Sequence, residues 1–342
     1  MVHQVKVANS GRTFAVHEDE SILDAALRAG IRIRYGCRRG KCATCKHWVL
    51  EGEVDDSEVS RYALLDDERE DGLTLLCQTY ALSDCVVELV ELGGDDDDTA
   101  APLPTARNAW LGDLAQVATS LWSLTLELDE PMAFLPGQYI EIEVPGAPGT
   151  TRSYSIASPP SQTQRIDLLL KRYEHGAFSG QLTALAPAAP MRLEGPFGEM
   201  YLRDSDRSVL LVGTGSGLAP LLGIARHLAD VDPTRGVRLV YGARDESEVP
   251  FTRELERLSH VMEDLQVTIT LTQPTSTWTG PTGRVQGLLA RNFEDGRDLD
   301  AYICGPPDMC DDVQLFLEAR GVKPSHIHTD GFFAADDDGN GS

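Results

Sequence analysis

The sequence has no run of about eighteen apolar residues, the minimum length for a membrane-crossing helix. Residues 1–7 lack the apolar core and small-residue cleavage site of a secretion signal. Cations are also scarce, because 30 Lys and Arg against 54 Asp and Glu give a formal net charge of −24. Such a charge disfavours contact with nucleic acid or anionic membranes. We therefore expect a cytoplasmic protein without membrane contact, whose docking partner offers a basic patch.

Seven cysteines are an odd number for a chain with no apparent secretion signal, which favours metal ligation over disulfides. Four of them show C-x4-C-x2-C spacing with a distant fourth cysteine: Cys37, Cys42, Cys45 and Cys77. This spacing is typical of plant-type [2Fe–2S] binding. The alternative is structural zinc, but zinc sites usually hold their cysteines as two separate pairs.

The proposed cluster loop contains small residues that allow its backbone to approach the sulfurs and donate amide hydrogen bonds. These residues are Gly36, Gly40, Ala43 and Thr44. The stretch Cys37–Lys41 is also locally basic. We interpret it as a solvated loop that balances an anionic cluster, with a docking patch as the alternative. Cys85 precedes an apolar strand and is interpreted as a buried hydrophobic residue.

The length of 342 residues allows two or three domains, and we expect three. A β-hairpin is predicted over Val2–Val16, followed by a helix that begins after Ser21 and ends at Gly30. A second helix is predicted over Ser60–Asp71. The acidic, proline-containing residues 95–105 form a linker, so the first domain covers residues 1–94.

Residues 106–205 show short strands between Pro/Gly turns, which predicts a small antiparallel barrel with one helix at Ser179–Leu185. Residues 206–335 alternate strands and helices, which predicts a parallel sheet with helices on both faces. The predicted strands are Val209–Val212, Arg238–Tyr241, Gln266–Thr270 and Ala301–Cys304, and the helices are Pro220–Ala229, Thr252–Ser259 and Pro307–Arg320. Residues 336–342 read as a disordered tail. The expected fold class is thus multidomain α+β and α/β, beginning with a β-grasp domain.

Two motifs in the predicted barrel favour FAD. Arg152–Ser158 combines an arginine suited to a pyrophosphate with a tyrosine that can stack on a flat ring. Gly176 and Ser179 precede the predicted helix, whose N-terminus would attract an anion. Taken alone, the first motif is equally compatible with an ordinary strand, and the second with an ordinary serine N-cap. Their order along the chain, however, favours a flavin site.

A third motif, Val209–Pro220, is a strand, a glycine-rich turn and a helix, which places backbone amides against a pyrophosphate. The third glycine of a dinucleotide-binding G-x-G-x-x-G pattern would fall at Leu218, so an acidic ribose ligand is not assumed. Arg244 could serve a 2′-phosphate, but Asp245 and Glu246 would repel one. We therefore expect NADH.

The order of these motifs resembles the ferredoxin–NADP reductase superfamily over nearly the whole chain. It is most similar to reductase components of bacterial multicomponent oxygenases that carry an N-terminal ferredoxin domain. The resemblance implies that Arg152 binds the FAD phosphates, Tyr154 stacks on the isoalloxazine and Ser155 approaches flavin N5. It also implies that Cys304 lies beside the nicotinamide and Phe332 borders the flavin.

We expect Ser155 and Cys304 to act at the reacting atoms, and the four cysteines to hold the cluster. The full set of expected cofactor-binding residues is Arg152, Ser153, Tyr154, Ser155, Leu170, Lys171, Gly176, Ser179, Gly213, Thr214, Gly215, Gly217, Arg244, Gly305, Pro306 and Phe332. Nicotinamide delivers two electrons as hydride, whereas a cluster accepts one, so FAD must connect them.

The resemblance implies electron delivery from NADH through FAD and the [2Fe–2S] cluster to an oxygenase. We expect the chain to be monomeric on its own. We expect a soluble diiron monooxygenase of the alkane or alkene type. A ring-hydroxylating dioxygenase is the alternative partner. In another class, the chain would be a non-catalytic nucleotide-sensing or zinc-stabilised binding protein.

Overall fold

The computed structural model describes residues 2–31, 33–41, 43–61, 63–89, 102–293 and 298–332. The predictions for Cys42, for residues 95–101 of the linker and for the tail at 336–342 lie outside these ranges. The chain forms two compact units, Met1–Pro104 and Thr105–Ser342. Within the described ranges, no helix is long and apolar enough to cross a membrane. The three-domain division stays a prediction.

The first unit is a five-stranded sheet in the order β2-β1-β7-β3-β5, beside a small β4-β6 pair. Its elements are β1 (Val2–Val7), β2 (Thr13–His17), α1 (Ile22–Arg28), β3 (Lys46–Glu51), β4 (Val54–Asp55), α2 (Asp66–Glu70), β5 (Leu73–Leu75), β6 (Tyr80–Ala81) and β7 (Cys85–Glu88). The hairpin prediction is confirmed, since β1 and β2 pair antiparallel. Ser21 caps α1 by accepting a hydrogen bond from the Asp24 amide at 3.1 Å.

The prediction of a helix over Ser60–Asp71 was wrong for its first half, because only Asp66–Glu70 is helical. The preceding residues form a turn in which the amides of Ala63 and Leu64 donate to the Ser60 carbonyl. The Ser60 amide in turn donates to the Gly40 carbonyl at 3.3 Å. Docking of this turn onto the cysteine loop therefore prevails over the helical pattern.

The second unit begins with a six-stranded antiparallel sheet in the order β11-β10-β13-β8-β9-β12. Its strands are β8 (Thr105–Gln116), β9 (Leu121–Leu128), β10 (Tyr139–Glu143), β11 (Thr151–Ser155), β12 (Arg165–Lys171) and β13 (Pro190–Phe197). A bridge between Ile156 and Leu168 joins the two edges and closes the sheet into a barrel. The predicted helix at Ser179–Leu185 is a 3-10 helix, Ser179–Ala184.

The rest of this unit is a parallel sheet in the order β16-β15-β14-β17-β18. Its elements are β14 (Ser208–Thr214), α3 (Leu218–Val231), β15 (Val237–Ala243), α4 (Thr252–Val261), β16 (Leu265–Leu271), α5 (Val285–Asn292), β17 (Leu299–Gly305), α6 (Pro307–Ala319) and β18 (Ile327–Gly331). Helices α3 and α4 pack into one apolar cluster, whereas α5 and α6 pack into another. The predicted two-sided arrangement is confirmed, although α5 was missed.

Helix α3 packs directly against the barrel backbone through Gly223. A Cβ atom at this position would lie 2.8 Å from the Ile156 carbonyl oxygen and 3.4 Å from that of Ser158. Real side chains do not approach a backbone oxygen this closely. Glycine at this point of α3 therefore sets how near the helix lies to the end of the flavin motif.

We expect Gly223→Ala to lower the free energy of unfolding of this unit by about 1–3 kcal/mol through overpacking. Gly287→Ala in α5 is the matched control, because its Cβ would meet only one flexible arginine nitrogen, 3.7 Å away. The control should change stability little, or raise it by up to about 1 kcal/mol. Urea unfolding followed by tryptophan fluorescence measures both, and equal effects would contradict the packing argument.

Candidate cofactor sites

The structure describes three of the four predicted cluster cysteines. Cys37 lies half-buried on the irregular loop, Cys45 is buried just before β3, and Cys77 is buried in the short 3-10 helix Leu76–Gln78. The Leu76 amide donates to the Cys45 carbonyl at 3.0 Å, which ties the last two segments together. Among the described side chains, which exclude Cys42, no group of three or more His, Cys, Asp or Glu is arranged as a metal site.

The loop backbone turns its amides toward sulfur. The Arg39 amide donates to Cys37 Sγ at 3.4 Å, and the Gly40 amide donates to Cys77 Sγ at 3.3 Å. Arg38, Gly40 and Ala43 have φ values of 53°, 65° and 58°. Such left-handed residues direct successive N–H groups to one side and create a concave site for an anion. The donor set therefore fits an anionic thiolate-bound cluster.

The basic character of this loop is partly neutralised within the unit itself. The Arg38 guanidinium contacts the Asp24 carboxylate at 2.5 Å, and its side chain is largely buried. Lys46, which follows the last loop cysteine, pairs with Glu68 at 2.6 Å. The interpretation of Cys37–Lys41 as a solvated loop therefore does not hold for Arg38, whose charge is paired with a carboxylate of the same unit. That this stretch balances an anionic cluster stays a prediction.

The first flavin motif lies on β11, whose side chains alternate between the two faces of the sheet. Arg152 and Tyr154 share one face and Ser153 and Ser155 the other. The Tyr154 ring lies 5.4 Å from the Phe178 ring. Phe178 directly precedes Ser179, so this contact joins the two predicted flavin motifs. Sequence reasoning missed Phe178, because a single aromatic residue in a loop carries no periodic signal.

The second motif is a tight loop held by Ser179. Its hydroxyl accepts a hydrogen bond from the Tyr173 amide at 3.2 Å, and a Cβ at Gly176 would lie 2.3 Å from that hydroxyl. Ser179 is therefore not an ordinary N-cap, contrary to one interpretation of the sequence. On the neighbouring strand, Leu170 is buried in the barrel core, while the Lys171 ammonium lies 5.6 Å from the centre of the Tyr173 ring.

The predicted nucleotide motif lies at the carboxyl edge of the parallel sheet. From β14, the chain proceeds through β15 to β16 on one side, whereas β17 and β18 lie on the other. The switch point therefore falls between β14 and β17, where sheets of this kind bind ligands. Gly213 and Cys304 are register partners across that point. The turns after both strands thus meet at one crevice.

The two turns can approach this closely because glycine residues at their contact points have no side chain. A Cβ at Gly217 would lie 2.3 Å from the Cys304 carbonyl oxygen, and one at Gly305 would lie 2.7 Å from Thr214 Oγ1. The Gly215 carbonyl accepts a hydrogen bond from the Tyr241 hydroxyl at 3.0 Å. Tyr241 was also missed, since it lies in an ordinary apolar strand pattern. The turn leads directly into the N-terminus of α3, an arrangement that suits a pyrophosphate.

Cys304 is fully buried, with its Sγ atom 4.0 Å from the Met200 sulfur. Burial raises the pKa of the Cys304 thiol well above its ordinary value, and the charge of Asp330 raises it further. The thiol is therefore neutral at physiological pH. Pro306 precedes α6, and the Phe332 amide donates to the Gly305 carbonyl at 2.7 Å. The C-terminal segment thus lies against the Cys304 turn.

Arg244 lies just after β15 with its side chain 58 % exposed, in contact with two carboxylates. Its Nε atom lies 3.2 Å from Asp245 Oδ2, and its Nη2 atom lies 3.3 Å from Glu248 Oε1. The sequence suggested Asp245 and Glu246 as sources of repulsion for a 2′-phosphate. Asp245 contacts Arg244, whereas the Glu246 carboxylate accepts hydrogen bonds from Thr275. The structure adds Glu248, which is brought near by one turn of 3-10 helix.

Three family models match successive parts of the chain. The model of the 2Fe-2S iron-sulfur cluster binding domain matches residues 5–82, the oxidoreductase FAD-binding domain residues 110–201 and the oxidoreductase NAD-binding domain residues 211–315. These matches show an oxidoreductase with the three predicted cofactors, and they favour an iron–sulfur cluster over structural zinc.

Relatives match along almost the full length. The propane 2-monooxygenase reductase component of Gordonia sp. (strain TY-5) is 35% identical, with 93% of each chain covered. The phenol 2-monooxygenase reductase component of Pseudomonas sp. (strain CF600) is 33% identical, over 98% of this chain and 96% of the relative. The crystal structure of an Amycolatopsis cytochrome P450 reductase has a TM-score of 0.88 and 30% identity, and covers 97% and 99% of the two chains. The chain therefore belongs to the family of iron–sulfur flavoprotein reductases that includes the reductase components of multicomponent monooxygenases.

Proposed function

We propose that NADH binds at the crevice between β14 and β17, that FAD binds along β11 and the Gly176–Ser179 loop, and that the cysteine loop passes single electrons to an oxygenase component. The observation that carries this assignment is the meeting of two turns at the switch point. There the Gly217 backbone lies against the Cys304 carbonyl, and the Phe332 amide binds the next carbonyl.

The barrel residues orient the flavin. Arg152 supplies a permanent positive charge for its phosphates, and the Tyr154 ring, supported by Phe178, offers a flat apolar surface. Ser155 is buried at the end of β11 on the opposite face from Tyr154, and we assign its hydroxyl to the edge of the flavin rather than to the face that Tyr154 covers. When bound, FAD supplies the conversion of hydride transfer into single-electron steps.

Cys304 contributes through packing rather than by transferring a proton as an acid or base. Its neutral, buried thiol packs in the apolar core next to Met200, and its carbonyl contacts the glycine turn of the nucleotide motif. Hydride transfer needs close contact and the exclusion of water more than proton transfer by a side chain. The buried position of Cys304 suits the second requirement, because its side chain fills the core where water could otherwise enter.

The preference for NADH rests on charge. Arg244 already contacts two carboxylates, so a 2′-phosphate approaching it would meet negative potential rather than a vacant cation. NADH lacks that phosphate. The same site therefore accepts NADH and disfavours NADPH.

We propose a soluble diiron monooxygenase as the electron acceptor, because the relatives named above include reductase components of propane and phenol monooxygenases. The electron transfer component of 2-halobenzoate 1,2-dioxygenase from Burkholderia cepacia is 29% identical, so a dioxygenase is the alternative. The net charge of −24 favours a basic docking patch on the acceptor, and the chain itself is proposed to act as a monomer.

The direct test is anaerobic mixing with NADH, followed by addition of purified oxygenases. We expect the purified protein to show flavin and iron–sulfur absorbance that bleaches with NADH and to support hydroxylation by a diiron monooxygenase. Support for a dioxygenase or a cytochrome P450 alone would overturn the proposed acceptor, whereas failure to bleach would overturn the whole assignment.

We expect Cys77→Ser to abolish the iron–sulfur absorbance and electron delivery to the oxygenase, because it removes one of four thiolate ligands. Reduction of the flavin by NADH should persist. Cys85→Ser is the matched control, since this buried cysteine also lies in the first unit but outside the ligand set. Iron content and absorbance spectra measure the result, and equal iron loss in both variants would contradict the assignment.

We expect Arg152→Ala to weaken FAD binding about 10- to 100-fold, the loss expected when charge-assisted hydrogen bonds to phosphate are removed. Arg192→Ala, an exposed arginine on β13 of the same barrel, serves as the control and should bind FAD normally. Titration of the flavin-depleted protein with FAD measures both affinities. A normal affinity in the Arg152 variant would show that another residue holds the phosphates.

A further inference from the structure

Arg226 connects the barrel and the parallel sheet through several contacts of one largely buried guanidinium. Its Nη1 atom donates to the Ala157 carbonyl at 2.8 Å, across the boundary between them. Its Nε and Nη2 atoms bind the two oxygens of Glu254 on α4 at 2.7 and 2.9 Å. The Asp167 carboxylate on β12 lies 3.5 Å away. One guanidinium thus joins two helices to the barrel.

Both ends of this connection lead to a cofactor motif. Ala157 follows Ser155 by two residues, and its amide is fixed by the Asp167 carbonyl at 2.7 Å. Arg226 belongs to α3, which begins immediately after the Gly215–Gly217 turn. Gly223, one helical turn earlier on α3, lies against the same barrel segment. The path from β11, here called the flavin strand, to the Gly215–Gly217 turn, here called the nucleotide turn, therefore runs through closely packed backbone.

The chemistry of this contact requires arginine. The bidentate pair with Glu254 uses one edge of the guanidinium, which leaves a further N–H for the Ala157 carbonyl. Only 15 % of the Arg226 side chain is exposed, so solvent screens the contact little. A lysine would keep the charge but has no planar fork with which to hold both partners in fixed directions.

We propose that Arg226 is a positioning residue that fixes the flavin strand relative to the nucleotide turn and thereby sets the geometry of hydride transfer. This proposal rests on the proposed function of the two motifs. Arg226 does not touch the reacting atoms in this scheme. It acts through the Ala157 carbonyl and through helix α3, so its loss should change the rate of the chemical step rather than the affinity for either cofactor.

The test compares Arg226→Lys with Arg207→Lys. Arg207 provides the matched control, because its Nε atom also binds a buried carboxylate, Asp300, at 2.9 Å, but at the start of β17, away from the carboxyl edge. In anaerobic stopped-flow mixing, Arg226→Lys should slow flavin reduction at saturating NADH about 10- to 100-fold, since small misplacements of reacting atoms have effects of this size. FAD content and NADH affinity should stay within about twofold of wild type in both variants.

Two further readouts separate positioning from simple stabilisation. The long-wavelength absorbance of a stacked nicotinamide–flavin pair should weaken in Arg226→Lys but persist in Arg207→Lys. Hydrogen exchange at the amides of residues 156–158 should accelerate only in Arg226→Lys. Glu254→Gln leaves the Arg226 guanidinium in place and should show a smaller decrease in the rate of flavin reduction. It replaces Arg226→Lys in the comparison with Arg207→Lys if Arg226→Lys loses FAD.

Equal rates and equal absorbance in the Arg226 and Arg207 variants would overturn the positioning role. The positioning role would also be overturned if the slower flavin reduction in Arg226→Lys disappears once the rates are corrected for FAD content. A wild-type protein that NADH does not reduce would instead refute the proposed function, so the two failures are distinguishable.

Discussion

The crevice at the switch point of the parallel sheet depends on backbone approach that no side chain could permit. The Gly217 turn lies against the Cys304 carbonyl, and Gly305 lies against Thr214. Because β14 and β17 are hydrogen-bonded neighbours, this approach is fixed by strand register rather than by flexible loops. The Phe332 amide then attaches the C-terminal segment to the same turn. The proposed nicotinamide site and the proposed border of the flavin site thus belong to one closely packed edge of the sheet.

The sequence was sufficient to predict the elements with strong local signals. The Ser21 cap, the barrel strands and most of the strand–helix alternation appear where they were expected, because capping residues and long apolar strands report directly on local structure. Helix α5 was missed because it is short and contains Gly287, which weakens a helical pattern. The helix around residue 60 was overextended because contact with the cysteine loop is a tertiary effect that periodicity does not record.

The site residues show the same division. Motif spacing predicted the cysteine ligands and the glycine turns. These features depend on cysteine and glycine in particular spacings, which few other structures require. Phe178, Tyr241 and Arg226 contact parts of the predicted motifs that are distant from them in sequence. A buried arginine in a helix looks like any exposed helical cation until its partners are known. Supporting residues of this kind are therefore found from structure rather than from pattern.

The burial of the Cys304 thiol also bears on its resistance to oxidation. Reduced flavins react with oxygen to form peroxide, which oxidises cysteines through their thiolate form. The raised pKa of Cys304 keeps this residue protonated, and its complete burial denies access to oxidants. At the proposed nicotinamide site, Cys304 is thus a protonated and buried sulfur atom, which disfavours its oxidation.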